Sequence, residues 1–300
     1  MADSAPVVLS LCSGIGMLDE AVRLVFPGAV TAAYCEWEAY AASVLLARME
    51  DATLEPAPVW NGDLRDFNAQ PFRGVVDLLV AGLPCQPYSL AGKQRGNDDA
   101  RSWGEAGDGP IPHFLRIVAE CRPAVVFLEN VPAWVMGGWF RPVGEELCRL
   151  GYEIEEPVFL AAGDVGASHE RERVFVLAHL PGERGEGWRL PEPAVADANG
   201  LRRRSKGNGE QFATGAYWSG LPVFAPGPAA PEWKRIVETS PWLAPAIEPG
   251  LCVLAYGVAL VVDQSRADQL RCAGNGVVAL QAAVALVELL SRADQKETLT

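Results

Sequence analysis

The chain has no cysteine pair spaced for metal or redox work. Its seven cysteines (Cys12, Cys35, Cys85, Cys121, Cys148, Cys252 and Cys272) are odd in number, scattered, and nowhere form a C-x-x-C pair. Neither a disulfide framework nor a structural zinc site is expected, and no metal is assigned. Long apolar runs are absent as well. A bilayer span needs roughly 18 such residues. The longest candidate, Gly276 to Leu290, is interrupted by Gln281 and Glu288 and reads as an amphipathic helix. The N-terminus has no basic region ahead of an apolar stretch, so no secretory signal is visible. These absences lead to the expectation of a soluble intracellular chain with no membrane partner.

Positive charge is scarce too. Lysine and arginine number 25 against 38 aspartates and glutamates, for a net charge of −13. A strongly acidic chain is a poor electrostatic match for nucleic acid. The distribution changes that view: Leu180 to Arg271 carries ten basic and ten acidic residues, so the rest of the chain holds the whole excess. The neutral segment contains Arg202, Arg203, Arg204 and Lys206 in one run. Taken alone, such a run reads as a solvated loop.

What the sequence does contain is an alternation of short apolar strands with helical patterns. Strands are expected over Val7–Leu11, Val30–Tyr34, Val75–Val80, Ala124–Leu128 and Arg173–Ala178, and helices over Met17–Val25, Ala39–Met49 and Ile111–Cys121. This predicts an α/β fold: a Rossmann-like, mostly parallel sheet with helices on both faces. Right-handed crossovers then gather the loops after the strands along one edge, where ligands bind. After about Leu180, glycine and proline become dense, four tryptophans appear and periodicity is lost. We read a catalytic, cofactor-binding domain over 1–179 and 272–300, and a small loop-rich domain over 180–271. A final helix, Val277–Leu290, is expected to pack back onto the sheet.

Four stretches carry candidate chemistry. Ser13-Gly14-Ile15-Gly16 lies between the first strand and helix, where glycines let the backbone approach a ligand beside a helix N-terminus. Alone, it could equally be a structural turn, since Asp19 stands where the dinucleotide fingerprint has its third glycine. The second strand ends in Glu36-Trp37; a carboxylate there can accept from both ribose hydroxyls, and an indole can stack on a base. Asp63-Leu64 follows the next extended stretch, with Asp63 placed to accept from an adenine amino group. Gly82-Leu83-Pro84-Cys85-Gln86-Pro87-Tyr88-Ser89 holds a cysteine between two prolines just past a strand. Such a stiff loop presents sulfur rather than packing it, although a cysteine read in isolation is more often a buried core residue. Glu129, in Glu-Asn-Val, ends another strand on the same edge, and Arg171 and Arg173 lead into a third, with period-two alternation sending both arginines to one face.

With these motifs in this order, the sequence resembles the DNA cytosine-C5 methyltransferase family over roughly Val7–Ala178 and Arg271–Leu290. Pro84-Cys85-Gln86 is similar to the family's Pro-Cys-Gln loop and Glu129-Asn130-Val131 to its Glu-Asn-Val motif. Gly96 to Arg101 resembles a Gly-x-x-Asp-x-Arg loop, with Asp99 and Arg101 matching. Ala273 to Val278 resembles the C-terminal element that returns to the cofactor. His169 and Ala279 depart from the pattern, standing where glutamine and proline are common, and Val262–Arg266 fits poorly.

The resemblance implies S-adenosylmethionine as methyl donor, S-adenosylhomocysteine as product, and double-stranded DNA as partner. Cys85 would attack C6 of a flipped-out cytosine, Glu129 would hold N3 and the amino group, Arg173 the O2 carbonyl, and Arg171 would support them. Ser13, Gly14, Ile15, Gly16, Glu36, Trp37, Asp63, Leu64, Pro84, Asn275 and Val277 would bind the cofactor. Gln86, Ser89, Lys93, Arg95, Arg101, Arg202, Arg203, Arg204 and Lys206 would contact DNA, the last four as phosphate contacts in a target-recognition domain spanning 180–271. A cytoplasmic monomer in a bacterial or phage-infected cell is expected. A tRNA cytosine-C5 enzyme and a catalytically inactive DNA-binding relative stand as alternatives.

Overall fold

A computed structural model describes residues 5–84, 102–104, 108–167, 169–182, 217–218, 221–222, 234, 238 and 276–297. Its centre is an eight-stranded sheet. Val7–Leu11 (β1) runs parallel to Val30–Cys35 (β2) on one side and to Leu78–Gly82 (β4) on the other. Val59–Trp60 (β3) extends the sheet beyond β2, and Val125–Asn130 (β5) extends it beyond β4, both in parallel. The reversal of winding between β1 and β4 opens a crevice at the carboxyl ends of these strands.

The chain then breaks the parallel pattern. Glu172–His179 (β8) runs antiparallel to β5, while Glu153–Ile154 (β6) and Val158–Ala161 (β7) pair antiparallel with β8. The reversal matters for the site, because it brings the beginning of β8 to the same edge as the end of β5. In an all-parallel sheet Arg171 and Arg173, at the start of β8, would have landed at the opposite edge.

Alternation along the strands feeds two cores. On one face, Val80, Phe127 and Phe175 pack under Met17–Val25 (α1) and Ala279–Glu297 (α6), with Phe127 and Phe175 stacked at 5.8 Å. Ala39–Glu50 (α2) joins this face through Ala41 and Val44. On the other face, Leu79, Val126, Leu128 and Val176 pack under Pro110–Cys121 (α3) and Arg141–Arg149 (α5). Both faces are covered, as the sequence pattern predicted, and α6 does pack back onto the sheet. The α3 helix starts with Pro110 in its first turn, where a missing N–H costs nothing.

Several boundaries differ from expectation. The strand expected over 75–80 begins at Leu78, because Val75 and Val76 both donate to Phe72 O in a preceding turn. Pro132–Met136 (α4), α5, β6 and β7 were not legible as elements. The last helix runs to Glu297, well past Leu290. Gln281, which interrupts the apolar run of this helix, is fully buried. The small domain expected over 180–271 lies almost wholly outside the described residues, apart from its first three residues, residues 234 and 238, and an antiparallel pair, Tyr217–Trp218 (β9) with Leu221–Pro222 (β10). No described helix is long and apolar enough to cross a membrane.

Candidate active site

A cavity of about 710 Å³ lies along the carboxyl ends of β1, β2, β4 and β5. One end is built by loops. Cys12 and Gly14 adopt left-handed backbone (φ 49° and 56°), turning the chain between β1 and α1. A side chain at Gly14 would meet nothing within 4 Å, so only the backbone conformation asks for glycine there. Gly16 is constrained twice: its φ is 81°, and a Cβ would lie 2.9 Å from a Leu54 methyl. The turn is fastened to β2 by Ser13, whose N–H donates to Cys35 O at 3.1 Å and whose hydroxyl accepts from Cys35 N–H at 3.2 Å.

Glu36 is the anchor of this end. Its Oε2 accepts from Gly14 N–H at 2.6 Å and its Oε1 from Glu38 N–H at 2.8 Å. Burial raises its pKa while these amides pull it back. Each carboxylate oxygen keeps a further lone pair, which suits a vicinal diol. Trp37 leaves 63% of its surface exposed on the cavity wall, apolar area with no packing role in the fold. Asp63 also lines the cavity, but Arg65 already holds it: Oδ1 accepts from Arg65 N–H at 2.9 Å, and Oδ2 from Nε at 2.8 Å and Nη2 at 2.6 Å. These bonds lower the pKa of Asp63 and keep it an acceptor. Arg65 lines the same wall and escaped the sequence reading, although an acid two residues ahead of an arginine is a local signal for this bidentate pair. Ser13, Ile15, Leu64 and Val277 line the cavity as expected. The vicinal acceptors of Glu36, the exposed indole and the open space at Gly14 fit a nucleoside with a small charged tail.

The other end is built by strands. Glu129, at the end of β5, is buried, and its Oε1 lies 2.8 Å from Arg173 Nε. Burial pushes the Glu129 pKa up; Arg173 and then Arg171 oppose that shift. Pro84, the last described residue before Cys85, lines the same cavity, as do Glu129 and Arg173. Between the two ends sits Gly82, where an added Cβ would touch Cys12 O and Glu129 Oε2, each at 3.6 Å. Asn130, the middle residue of the Glu-Asn-Val stretch, ties the neighbouring loops: its Nδ2 donates to Leu83 O at 3.3 Å and its Oδ1 accepts from Val131 N–H at 2.8 Å.

The two arginines part company. Arg171 sits one residue before β8 with φ 30°, so strand alternation has not begun. Its guanidinium donates to Gly276 O, whereas Arg173 turns to Glu129. Cys12 and Cys35 line the cavity, but burial raises both thiol pKa values, Cys35 to about 12, so neither is primed as a nucleophile. Cys85, Gln86, Ser89, Lys93, Arg95, Arg101, Arg202, Arg203, Arg204, Lys206 and Asn275 lie outside the described residues.

Comparison with known proteins agrees with this layout. Residues 7–206 match the profile of the family described as C-5 cytosine-specific DNA methylase. The type II methyltransferase M.NgoMIV of Neisseria gonorrhoeae is 32% identical over 191 residues, which cover 62% of this chain and 55% of that protein. M.AquIA of Picosynechococcus sp., also a type II methyltransferase, is 29% identical over 217 residues, covering 65% of this chain and 79% of its own. The chain thus spans just over half the length of the Neisseria relative. Among solved structures, the S. pombe Dnmt2 methyltransferase superposes with a TM-score of 0.56 over 96% of this chain and 99% of its own; at 14% identity this likeness speaks for the fold alone. The chain belongs to the C-5 cytosine-specific DNA methylase family.

Proposed function

We propose that the chain transfers a methyl group from S-adenosylmethionine to C5 of a cytosine flipped out of duplex DNA, through a transient bond from Cys85 to C6. The observation that carries this reading is the Glu129–Arg173 pair in the wall of the same cavity whose far end holds Glu36 and Trp37. An acid and a guanidinium side by side match the polar edge of cytosine, and Pro84 on the cavity wall, one residue ahead of Cys85, supports Cys85 as the nucleophile.

The cofactor, when bound, supplies an electrophilic methyl on a sulfonium. Glu36 would accept from its ribose, Trp37 would stack on its adenine, and Asn275 and Val277 would close over it. Glu129 binds N3 and the exocyclic amine. Burial favours its protonated form and Arg173 its ionised form, which leaves its proton available for sharing with N3. Arg173 donates to O2, where charge accumulates as the Cys85 thiolate adds to C6. The electron pair released toward C5 would form the new C5–methyl bond as the methyl–sulfur bond breaks, its electrons leaving on the thioether of S-adenosylhomocysteine. Loss of the C5 proton to solvent then expels the Cys85 thiolate and restores the aromatic ring.

Residues 180–271 are assigned to target recognition, with Arg202, Arg203, Arg204 and Lys206 on phosphates. Neutralising the three arginines lowers DNA affinity and flattens its salt dependence. The primary test measures methyl transfer to plasmid duplex and to tRNA side by side, followed by adduct capture on duplex containing 5-fluorocytosine. Label at duplex cytosine C5 and a Cys85-dependent adduct are expected. Label in tRNA alone moves the substrate to RNA, and label in neither points to an inactive DNA-binding relative.

A further inference from the structure

Gln281 is an anomaly in α6. It sits with no exposed surface on the helix face that packs against the sheet, among Ala282, Ala285 and Leu286. Its Nε2 donates twice: to Leu160 O of β7 at 2.6 Å and to Arg171 O at 2.9 Å. Its Oε1 is buried without a hydrogen-bond partner among the described residues. An apolar side chain of the same length would avoid that unsatisfied acceptor. It would also take a donor from the Leu160 and Arg171 carbonyls, and what the glutamine supplies is position.

The position it fixes is the root of Arg173. The β5–β8 ladder ends at Asn130 opposite Val174, so Arg173 lies one residue beyond the support of β5. Its remaining strand partner is Leu160. Gln281 takes hold of Leu160 and of Arg171, two residues ahead of Arg173, and so brackets the stretch where the ladder has lost one edge. Arg171 needs such a hold. Its φ of 30° is unfavourable for a residue with a side chain, and its carbonyl also accepts from Ala162 N–H at 3.2 Å. From that turn its guanidinium reaches Gly276 O, beside the cofactor-closing segment.

We infer that Gln281 is a positioning residue for the methyl-transfer reaction: by pinning the backbone two residues ahead of Arg173 and the strand residue opposite it, it aims that guanidinium at Glu129. The inference rests on the proposed function for its kinetic readout, but its structural readout is independent of activity. In Gln281→Met the bulk is kept and both donors are lost. Expected are a folded protein with a modestly lower melting temperature and a single-turnover rate of methyl transfer about tenfold lower, with KM for DNA changed less than about threefold. A double-mutant cycle with Arg173→Lys is expected to be non-additive, because the two residues act through one contact. Gln281→Leu, which also lacks any donor, reports the same loss if the Met variant does not fold. A wild-type rate in a folded, donor-less variant overturns the inference, as does strict additivity. Should the wild-type chain itself transfer no methyl group, the proposed function fails, and a crystal structure of the variant still decides this inference. An Arg173–Glu129 pair in its original place overturns it, and a displaced Arg173 upholds it.

Discussion

The two ends of the cleft are built by different means. At the Glu36 end, charge is held by main-chain amides: Gly14 and Glu38 N–H groups grip the carboxylate, in loops that follow adjacent parallel strands. At the Glu129 end, charge is held by another side chain, across a seam between antiparallel strands. An amide cradle is fixed by local turn geometry and cannot be removed by substituting one side chain. A side-chain pair depends on strand register and can be removed by one substitution. The Glu129 end is the more brittle of the two.

The largest break in that contrast comes from Arg173→Ala. It leaves Glu129 buried without its main counter-charge, so its pKa rises further, and the O2 donor is gone. Methyl transfer should fall about 10²- to 10³-fold while the cofactor dissociation constant stays near wild type, a split that single-turnover kinetics and calorimetry resolve. A comparable loss at the cofactor step would mean that the ends are not separable.

A second buried acid sharpens the comparison. Asp19, on α1, is held by the Ser10 hydroxyl at 2.8 Å rather than by a close cation, and burial pushes its pKa up to about 6 from an ordinary value of 3.8. The folded state therefore binds this proton more tightly than the unfolded chain. The resulting stability is complete below pH 3.8 and disappears as pH rises through about 6. Relative to Asp19→Asn, the wild type should lose ~3 kcal/mol over that window, read by denaturant titration at several pH values. Parallel pH profiles of the two proteins would refute the assignment.

The amide cradle itself is tested by Glu36→Gln. One oxygen becomes a donor facing N–H groups, and the cofactor should bind about 10- to 100-fold more weakly with little change in the rate of the bound complex. Smallest is Asp63→Asn. Arg65 already occupies much of this carboxylate, so cofactor affinity should weaken only about threefold, measured by calorimetry. A loss as large as that of Glu36→Gln would show that the adenine displaces Arg65.

What the sequence disclosed follows the same division. The Gly14–Gly16 turn, Glu36 and Asp63 sit in short strand-to-loop segments whose geometry is local, and they were readable. The five central strands and α1 were readable from apolar periodicity. The direction of β8 was not, since periodicity carries no sign, and with it went the reason why Arg173 meets Glu129. Arg171 was misjudged because alternation was extended one residue before the strand begins. The burial of Gln281 was not readable because the backbone carbonyls it satisfies belong to segments more than 100 residues away. Short elements such as β6, β7 and α4 give too few turns or alternations to register.

The antiparallel run of β8 also sets a distance. Its first residues lie beside the cleft and its last, near His179, lie at the far rim of the sheet, roughly 25 Å away for eight extended residues. Leu180 leaves from that rim, where its N–H is tied to Ala124 O, yet Gly276 re-enters beside the cleft. Any tether grafted in place of residues 183–275 must first travel back along the sheet, using about eight residues before it can carry anything new. A chimera that swaps this segment for a loop of fewer than about eight residues would pull α6 out of register, whereas a longer one would be tolerated.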